Sequence, residues 1–305
     1  MKNVWGYLLG IIASSTFGLI PLFSIPVLET GMSVECLLFY RYFITAVLVG
    51  GMLLARKQSF KVERSQIPSL AFLVGVFCIT AFFLIMSYEY IPSGVATTIH
   101  FLFPIVVTTL MVTFFGEQFS LFTLIAIVGA IAGVALLSMG EGGGNIALKG
   151  VFMVLVTVFT YAIYIVGVNK SKVQTMNGLL LTFYVTLGAS ALFFIFTMSK
   201  GTWTNIPSVS SGVNLFFLAL VPTLISNLAL IEAIKRVGST TTAILGSMEP
   251  VTAVTVGIFV FAEPFSVSQF MGIVLIIAAV TLVILSKQLK RRIDMLVNAT
   301  LKKGR

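Results

Sequence analysis

Three ionisable side chains lie inside long apolar stretches of this sequence, where they could carry chemistry. Glu249 precedes a proline in GSMEPVTAVT (246–255), Arg41 lies in the second apolar stretch, and His100 lies one helical turn before Pro104. A carboxylate within the hydrocarbon of a bilayer costs about 3 kcal/mol or more on insertion scales unless it is paired or faces water. These residues therefore indicate a site, provided that the stretches around them cross a membrane.

The composition indicates that they do. Of the 305 residues 58% are hydrophobic and only 10% are charged, whereas soluble proteins carry about 25% charged residues. A membrane helix needs about 20 consecutive apolar residues. The sequence predicts an all-α membrane protein with ten transmembrane helices, at roughly 4–27, 34–54, 66–87, 93–115, 119–139, 148–168, 177–198, 210–233, 239–261 and 266–286.

The basic residues that give the net charge of +9 are concentrated in every second connection between these helices. They do not form a single nucleic-acid-binding patch. With the N-terminus in the cytoplasm, sixteen of the nineteen Lys and Arg residues fall on the inside and only Lys149 and Lys200 fall outside. Basic residues concentrate in cytoplasmic loops. We therefore predict a multi-pass protein of the plasma (inner) membrane with both termini cytoplasmic, membrane lipids as partners and no nucleic acid.

The second half of the chain repeats the first. A shift of 146 residues places FPIVV (103–107) on EPVTA (249–253), and GEQFS (116–120) on AEPFS (262–266). This predicts a first repeat over 1–140 and a second over 148–286. A linker at 141–147 joins them, and a basic tail follows at 287–305. Because each repeat has five helices, the second enters the membrane inverted, an arrangement found in secondary transporters.

Helices three to five of each half resemble the EamA module of the drug/metabolite transporter superfamily. The motif reads IPSGVATTIHFLFPIVVTTLMVTFFGEQFS in the first half and RVGSTTTAILGSMEPVTAVTVGIFVFAEPFS in the second. The resemblance covers nearly the whole chain. It implies alternating-access transport, favouring export, of small metabolites or amino-acid-like solutes, without a cofactor. In the first copy Phe103 stands where the second has Glu249.

Polar residues within the predicted helices are the candidates for a central substrate site. The predicted substrate-binding residues are Glu249, Arg41, His100, Tyr161, Tyr184, Asn227, Ser247, Thr252 and Thr16. Pro104 and Pro250 are predicted structural hinges, because proline removes a backbone donor within a helix. One His and two separated Cys leave no metal-binding cluster, and no catalytic residue is predicted.

Each of the three ionisable residues has two interpretations. Glu249 contacts substrate or a proton, or it braces the kink at Pro250. Arg41 is an anion clamp, or it reaches the outer headgroups beside Glu35. His100 couples transport to protons, since an unperturbed His has a pKa near 6.5, or it is a neutral side chain bonded to a threonine.

The function itself also has alternatives. A facilitative carrier, a channel or a lipid scramblase would share these helices but would not couple to an ion. An intramembrane enzyme would need a nucleophile with a base, or a metal cluster, and is disfavoured. Gly129 and Gly133 form a GxxxG motif, which favours close helix packing or a homodimer.

Overall fold

The computed structural model describes residues 2–91, 93–117, 121–138, 147–252, 255, 266–268, 270–279 and 282. Over these residues every regular element is helical, as predicted. The helices long and apolar enough to cross a membrane are Val4–Leu28, Val34–Ala55, Ile67–Ser87, Leu148–Lys170, Gly178–Lys200 and Val209–Val237. The linker except Ala147, the tail 287–305 and most of 253–265 lie outside the described residues.

The α-helices of the described residues are α1 (Lys2–Phe17), α2 (Ile20–Leu28), α3 (Val34–Ala55), α4 (Ile67–Ser87), α5 (Ser93–His100), α6 (Phe103–Phe115), α7 (Leu121–Ser138), α8 (Leu148–Lys170), α9 (Gly178–Lys200), α10 (Val209–Ala219), α11 (Ser226–Val237) and α12 (Ser239–Leu245). A π-helical turn, Leu220–Ile225, joins α10 to α11. Residues 248–252 and 270–279 are also helical.

The connecting segments gather at two ends of the bundle. At one end, the Gln66 side chain donates to Thr175 Oγ1 (3.1 Å) and the Tyr184 hydroxyl donates to Phe60 O (2.6 Å). We call this the basic end, because it carries Arg56, Lys57, Lys61, Arg64, Lys170, Lys172, Lys235 and Arg236.

At the opposite end, the segment 201–208 packs on the start of α3. Glu35 accepts from Thr202 Oγ1 at 2.8 Å and forms a salt bridge with Lys200 at 3.5 Å. The other basic residue of this end, among those described, is Lys149, whose ammonium donates to the Tyr90 hydroxyl. The separation of charge between the two ends therefore matches the pattern read from the sequence.

The bundle is held together by apolar packing between its two halves. The most extensive contacts join α3 to α9, α4 to α8 and α1 to α11. Gly133 of α7 packs against the helix 270–279, where an added Cβ would lie 2.7 Å from Ile276 and 2.9 Å from the Gly272 carbonyl. The GxxxG face is thus used for packing within the chain.

Four of the predicted helices are not the continuous rods that the hydropathy indicated. The predicted helix 4–27 breaks at 18–19, 93–115 breaks at 101–102, 239–261 breaks at 246–247, and 210–233 contains the π-helical turn.

Proline explains these breaks. A proline offers no N–H to the carbonyl four residues earlier and its ring crowds that carbonyl. Accordingly, α1 ends at Phe17, four residues before Pro21, and α5 ends at His100, four residues before Pro104. Pro250 likewise lies four residues after the turn at Gly246.

Candidate functional site

A cavity lies at the centre of the bundle, beside the breaks at 18–19, 101–102 and 246–247. Its space for water-sized molecules is about 50 Å³, enough for a few waters. Its lining combines aromatic and aliphatic walls with three ionisable side chains. The lining residues are Phe17, Ile20, Arg41, Tyr42, Phe77, Thr80, Ala81, Leu84, Ile85, His100, Tyr161 and Glu249.

The break in the ninth predicted helix places Glu249 on this cavity. The Glu249 N–H donates to Gly246 O at 3.0 Å, instead of to Leu245 O as an α-helix would require. The Leu245 carbonyl instead lies 2.8 Å from the hydroxyl of Ser14 in α1, which shares its single proton with Gly10 O of its own helix, at 2.5 Å. A hydroxyl from another helix thus stabilises the turn that presents the carboxylate.

Within the described residues the Glu249 carboxylate has no salt bridge and no hydrogen bond. The phenol groups of Tyr88 and Tyr161 lie within electrostatic range of it. A partly buried carboxylate on an apolar cavity is costly without a partner unless water or a ligand solvates it. Glu249 is therefore placed to bind a cation or a proton that enters the cavity.

Arg41 lines the same cavity from α3. Its side chain is 4% exposed, and its Nε donates to Thr223 Oγ1 at 2.6 Å, while Nη2 lies 3.4 Å from Pro222 O. It does not reach the membrane surface beside Glu35, which pairs with Lys200 instead. The snorkelling interpretation is therefore wrong.

The contact of Arg41 with the π-helical turn has a clear cause. Pro222 cannot donate to Leu218 O, and the Thr223 hydroxyl does so in its place, at 2.7 Å. That hydroxyl then accepts from Arg41. A guanidinium carries five N–H donors, so the group retains donors for an anion in the cavity.

His100 closes one side of the cavity. Its Nδ1 lies 2.7 Å from Thr157 Oγ1, and the Thr157 hydroxyl donates to Val154 O at 2.6 Å. Because a threonine hydroxyl has one proton, it accepts from Nδ1, which therefore carries a hydrogen. The ring packs against Phe103 and Tyr161 with centroid distances of 5.4 and 5.2 Å.

A second, smaller cavity extends from the same point towards the basic end. Its space for water-sized molecules is about 10 Å³, and Gly10, Leu230 and Thr242 are among its lining residues. Phe17, Tyr161 and Glu249 line both cavities. These three side chains therefore form the partition between the two.

The structure brings four of the nine predicted binding residues together: Glu249, Arg41, His100 and Tyr161. It places the other five away from the lining. Tyr184 bonds Phe60 O at the basic end, Asn227 donates to Thr223 O, and Ser247 donates to Ile244 O. The Thr252 hydroxyl donates to Met248 O. Thr16 bonds Ser226 between α1 and α11.

Sequence reasoning missed Phe17 and Thr80 in the lining and Thr223 as the partner of Arg41. Phe17 directly precedes the glycine at the break of the first helix, and Thr223 directly follows Pro222. Their position next to a glycine or proline inside an apolar stretch was the signal that could have identified these two residues as part of the site. Thr80 lacked such a neighbour.

A model of the EamA-like transporter family matches residues 4–139 and 148–285. The uncharacterized transporter YvbV of Bacillus subtilis is 23% identical over 246 residues, covering 77% of this chain and 79% of YvbV. The uncharacterized inner membrane transporter YedA of Escherichia coli K12 is 25% identical over 209 residues, covering 67% of this chain and 66% of YedA.

The fold is also found among solved structures. One crystal structure of another protein matches with a TM-score of 0.81 at 16% identity, covering 92% of this chain and 98% of that one. At this identity the likeness concerns the fold alone. The matched segments span both halves of the sequence, and the predicted resemblance is confirmed: this chain belongs to the EamA-like transporter family, and is a multi-pass membrane protein of a transporter family.

Proposed function

We propose that this protein is a secondary active transporter that moves an amino-acid-like solute out of the cell by alternating access. The observation that carries the proposal is the central cavity, where a carboxylate and a guanidinium face the same space without pairing with each other. Export is the direction favoured by the family resemblance.

The architecture we propose has ten membrane helices in two inverted repeats, 1–140 and 148–286. The packing supports it. Suppose that each of the first five membrane helices corresponds to the membrane helix five places later. The pair α1 and α11, from the first and eighth membrane helices, then corresponds to the pair α8 and α4, from the sixth and third. The pair α3 and α9, from the second and seventh, corresponds to itself. These are the most extensive contacts of the described bundle. The two separate family matches support the same division.

The substrate chemistry follows from the lining. The cavity has room for only a few waters in this state and must widen to admit a solute. Arg41 would then bind a carboxylate and Glu249 an ammonium group, while Phe17, Phe77 and Tyr161 would offer aromatic walls to an apolar side chain. A solute that carries both charges neutralises both buried groups at once. An anion or a cation alone would leave one of them unpartnered, at a cost in free energy.

The partition formed by Phe17, Tyr161 and Glu249 supports alternating access. Phe17 is the last residue of α1, next to the break at 18–19, and Glu249 follows the break at 246–247. Movement at either break would shift this partition and so connect the Glu249 carboxylate to one cavity or to the other. Discontinuous helices near the midplane serve this purpose in other transporters.

We further propose that protons drive the transport, with Glu249 and His100 as the groups that bind them. A facilitative carrier, channel or scramblase would need no such group. Counterflow would distinguish a carrier from a channel or a scramblase. Dependence of transport on an imposed pH gradient would distinguish a proton-driven carrier from a facilitative one.

The test is uptake and efflux in proteoliposomes with a panel of labelled aromatic and aliphatic amino acids. Each amino acid is compared with its N-acetyl derivative, which lacks the ammonium, and with its amide, which lacks the carboxylate. We expect transport and counterflow of the zwitterion only. Transport of both single-charge derivatives at the same rate as the parent would contradict the proposed substrate class.

Variants assign the roles. Glu249→Gln and Arg41→Gln are each expected to reduce transport at least roughly 100-fold, the effect of losing a charged partner worth about 3 kcal/mol. The matched controls are Glu29→Gln and Arg56→Gln, which change the same residue types at exposed positions outside the cavity. Equal rates for the cavity variants and the controls would exclude both residues from the site.

A further inference from the structure

A groove on the outer surface of the bundle opens between α4, α6 and α8 at the basic end. It encloses about 240 Å³, and its walls are apolar: Phe72, Leu73, Leu110, Phe115, Ile163 and Val166. Ile163 lies seven residues before the end of α8, so the groove extends roughly 10 Å inwards from that end at 1.5 Å per residue. It lies on the surface that lipid covers, and Phe72 is 58% exposed there.

The mouth of the groove is polar and positively charged. Ser69 and Ser171 line it, and the Ser171 hydroxyl is shielded from solvent without a hydrogen-bond partner among the described residues. The Lys170 ammonium lies 5.4 Å from the centroid of the Phe115 ring. No carboxylate of the described residues lies within 4.0 Å of it. Lys172, one residue beyond Ser171, is also exposed.

A comparable groove at the opposite end lacks this charge. It lies between α4 and α9 and is lined by Phe82 and Phe196, among other apolar residues. Lys200 lies over both rings, at 5.9 and 4.4 Å from their centroids. The salt bridge from Lys200 to Glu35 neutralises it. The two grooves are similar in their apolar walls and differ in the charge at the mouth.

We propose that the groove at the basic end binds an anionic phospholipid. One acyl chain lies along the apolar wall, and the phosphate lies at the mouth, where Lys170 neutralises it and the Ser171 hydroxyl donates to it. A phospholipid supplies both an apolar chain at this depth and an anionic group at the helix ends. Basic residues at a membrane surface attract anionic lipid by about 1 kcal/mol each. The site is independent of the proposed substrate and of the direction of transport.

The test is native mass spectrometry of the full chain, purified in detergent and delipidated, with equimolar phosphatidylglycerol and phosphatidylcholine carrying the same acyl chains. We expect phosphatidylglycerol to be retained preferentially. Lys170→Gln should weaken its binding about fivefold, the factor that corresponds to one basic residue. Binding of phosphatidylcholine should change less, because its choline cation already offsets the charge of its phosphate.

Lys149→Gln is the matched control. Lys149 is an exposed lysine at the opposite end, and its ammonium lies 4.3 Å from the centroid of the Tyr90 ring. We expect this variant to retain phosphatidylglycerol as the wild type does. Leu110→Trp, which fills the groove and leaves its charge unchanged, should lose both lipids from this site.

Three results would overturn the proposal. The first is equal retention of the two lipids by the wild type. The second is the same loss in Lys149→Gln as in Lys170→Gln, which would indicate a general effect of charge. The third is that the protein is a dimer, and that Leu110→Trp dissociates this dimer without changing lipid retention. The groove would then be filled by a second copy of the chain and not by lipid.

Discussion

The Leu245 carbonyl shows how one side chain sustains the site. The turn at 246–247 removes its helical partner, and Ser14 of α1 supplies another at 2.8 Å. Thr223 does the same for Leu218 O beside Pro222. In both places a hydroxyl permits a helix to be irregular within the membrane, where an unbonded carbonyl is costly.

Ser14→Ala is therefore expected to destabilise the protein by about 0.5–1.5 kcal/mol, because it removes a hydroxyl whose single proton is shared between the buried Leu245 carbonyl and Gly10 O. The measurement is equilibrium unfolding in mixed detergent micelles. Ser199→Ala is the control, since among the described residues the Ser199 hydroxyl bonds only Phe196 O of its own helix, at an exposed position. Equal stability of the two variants would contradict this role of Ser14.

Gly18 is the residue at which α1 meets the Glu249 turn. An added Cβ there would overlap the Glu249 carbonyl oxygen and lie 2.9 Å from Thr252 Cβ. Gly18→Ala should therefore cost about 1–3 kcal/mol of stability through overpacking and should reduce transport.

Gly75→Ala is the matched control for Gly18→Ala. Gly75 lies within α4 and a Cβ there meets no described atom within 4 Å, so alanine should stabilise the helix by roughly 0.5–1 kcal/mol. Thermal unfolding of the purified proteins measures both changes. A Gly18 variant as stable as the Gly75 variant would show that the close approach is not required.

At the scale of elements, the broken helices are the feature that creates the site. α5 ends before Pro104 and α12 ends before Pro250, and the two breaks lie side by side: a Cβ on Gly246 would be 2.8 Å from the tip of the Phe103 ring. In the proposed repeat, a shift of 146 residues aligns Phe103 with Glu249. One half of the chain thus contributes an aromatic wall where the other contributes a charge.

Pro104→Ala tests whether the break is a hinge. Alanine restores the N–H that can donate to His100 O, so α5 and α6 can join into one straight helix. We expect transport to slow roughly tenfold, equivalent to about 1.4 kcal/mol in the barrier, with little change in substrate affinity. The measurements are the initial rate of counterflow and substrate binding by scintillation proximity.

Pro68→Ala is the control for that experiment. Pro68 lies in the first turn of α4, where no helical hydrogen bond is lost, and we expect normal transport. If Pro104→Ala also transported normally, the break would be a static feature of the fold.

At the scale of the whole molecule, charge and apolar surface fix the protein in the membrane. Large apolar side chains are exposed on the outside of the bundle, including Phe114 at 72% and Phe152 at 67%. The charged residues lie mostly at the two ends, with the basic excess at one of them. From the positive-inside rule we propose that this end faces the cytoplasm.

Labelling of single cysteines tests this orientation in intact cells. Asn205→Cys, at the end opposite the basic end, should react with a membrane-impermeant maleimide. Ser59→Cys, at the basic end, should react only after permeabilisation; both positions are exposed. Both variants are made in a chain in which the two native cysteines, Cys36 and Cys78, have been replaced; both are buried. The reverse pattern of labelling would invert the proposed topology and the direction of export with it.

The helices were largely predictable, because each must satisfy its own backbone in hydrocarbon and needs a long apolar run. The starts of α3, α4 and α8 lie within about two residues of the predicted positions, well inside the usual uncertainty of element boundaries. The breaks were less predictable. Pro104 and Pro250 indicated a kink, but the same residue type at Pro68 only begins a helix.

The site was predictable only in part. Glu249, Arg41 and His100 stand out because charge and imidazole are rare in apolar stretches. Tyr184 and Thr16 are polar in the same way, yet they bond to backbone or to a neighbouring helix away from the cavity. Which face of a helix points inwards depends on packing, because lipid-facing and buried positions are equally apolar.

The sequence by itself therefore determined the class, the family and the distribution of charge, since these depend on composition and on local patterns. The tertiary structure decided that Arg41 turns inwards to Thr223 and that Glu249 faces a cavity where no described residue pairs with it. It also decided that Phe17 shares a partition with Tyr161. These contacts join residues that are far apart in sequence, and only the packing of breaks from different helices brings them within reach.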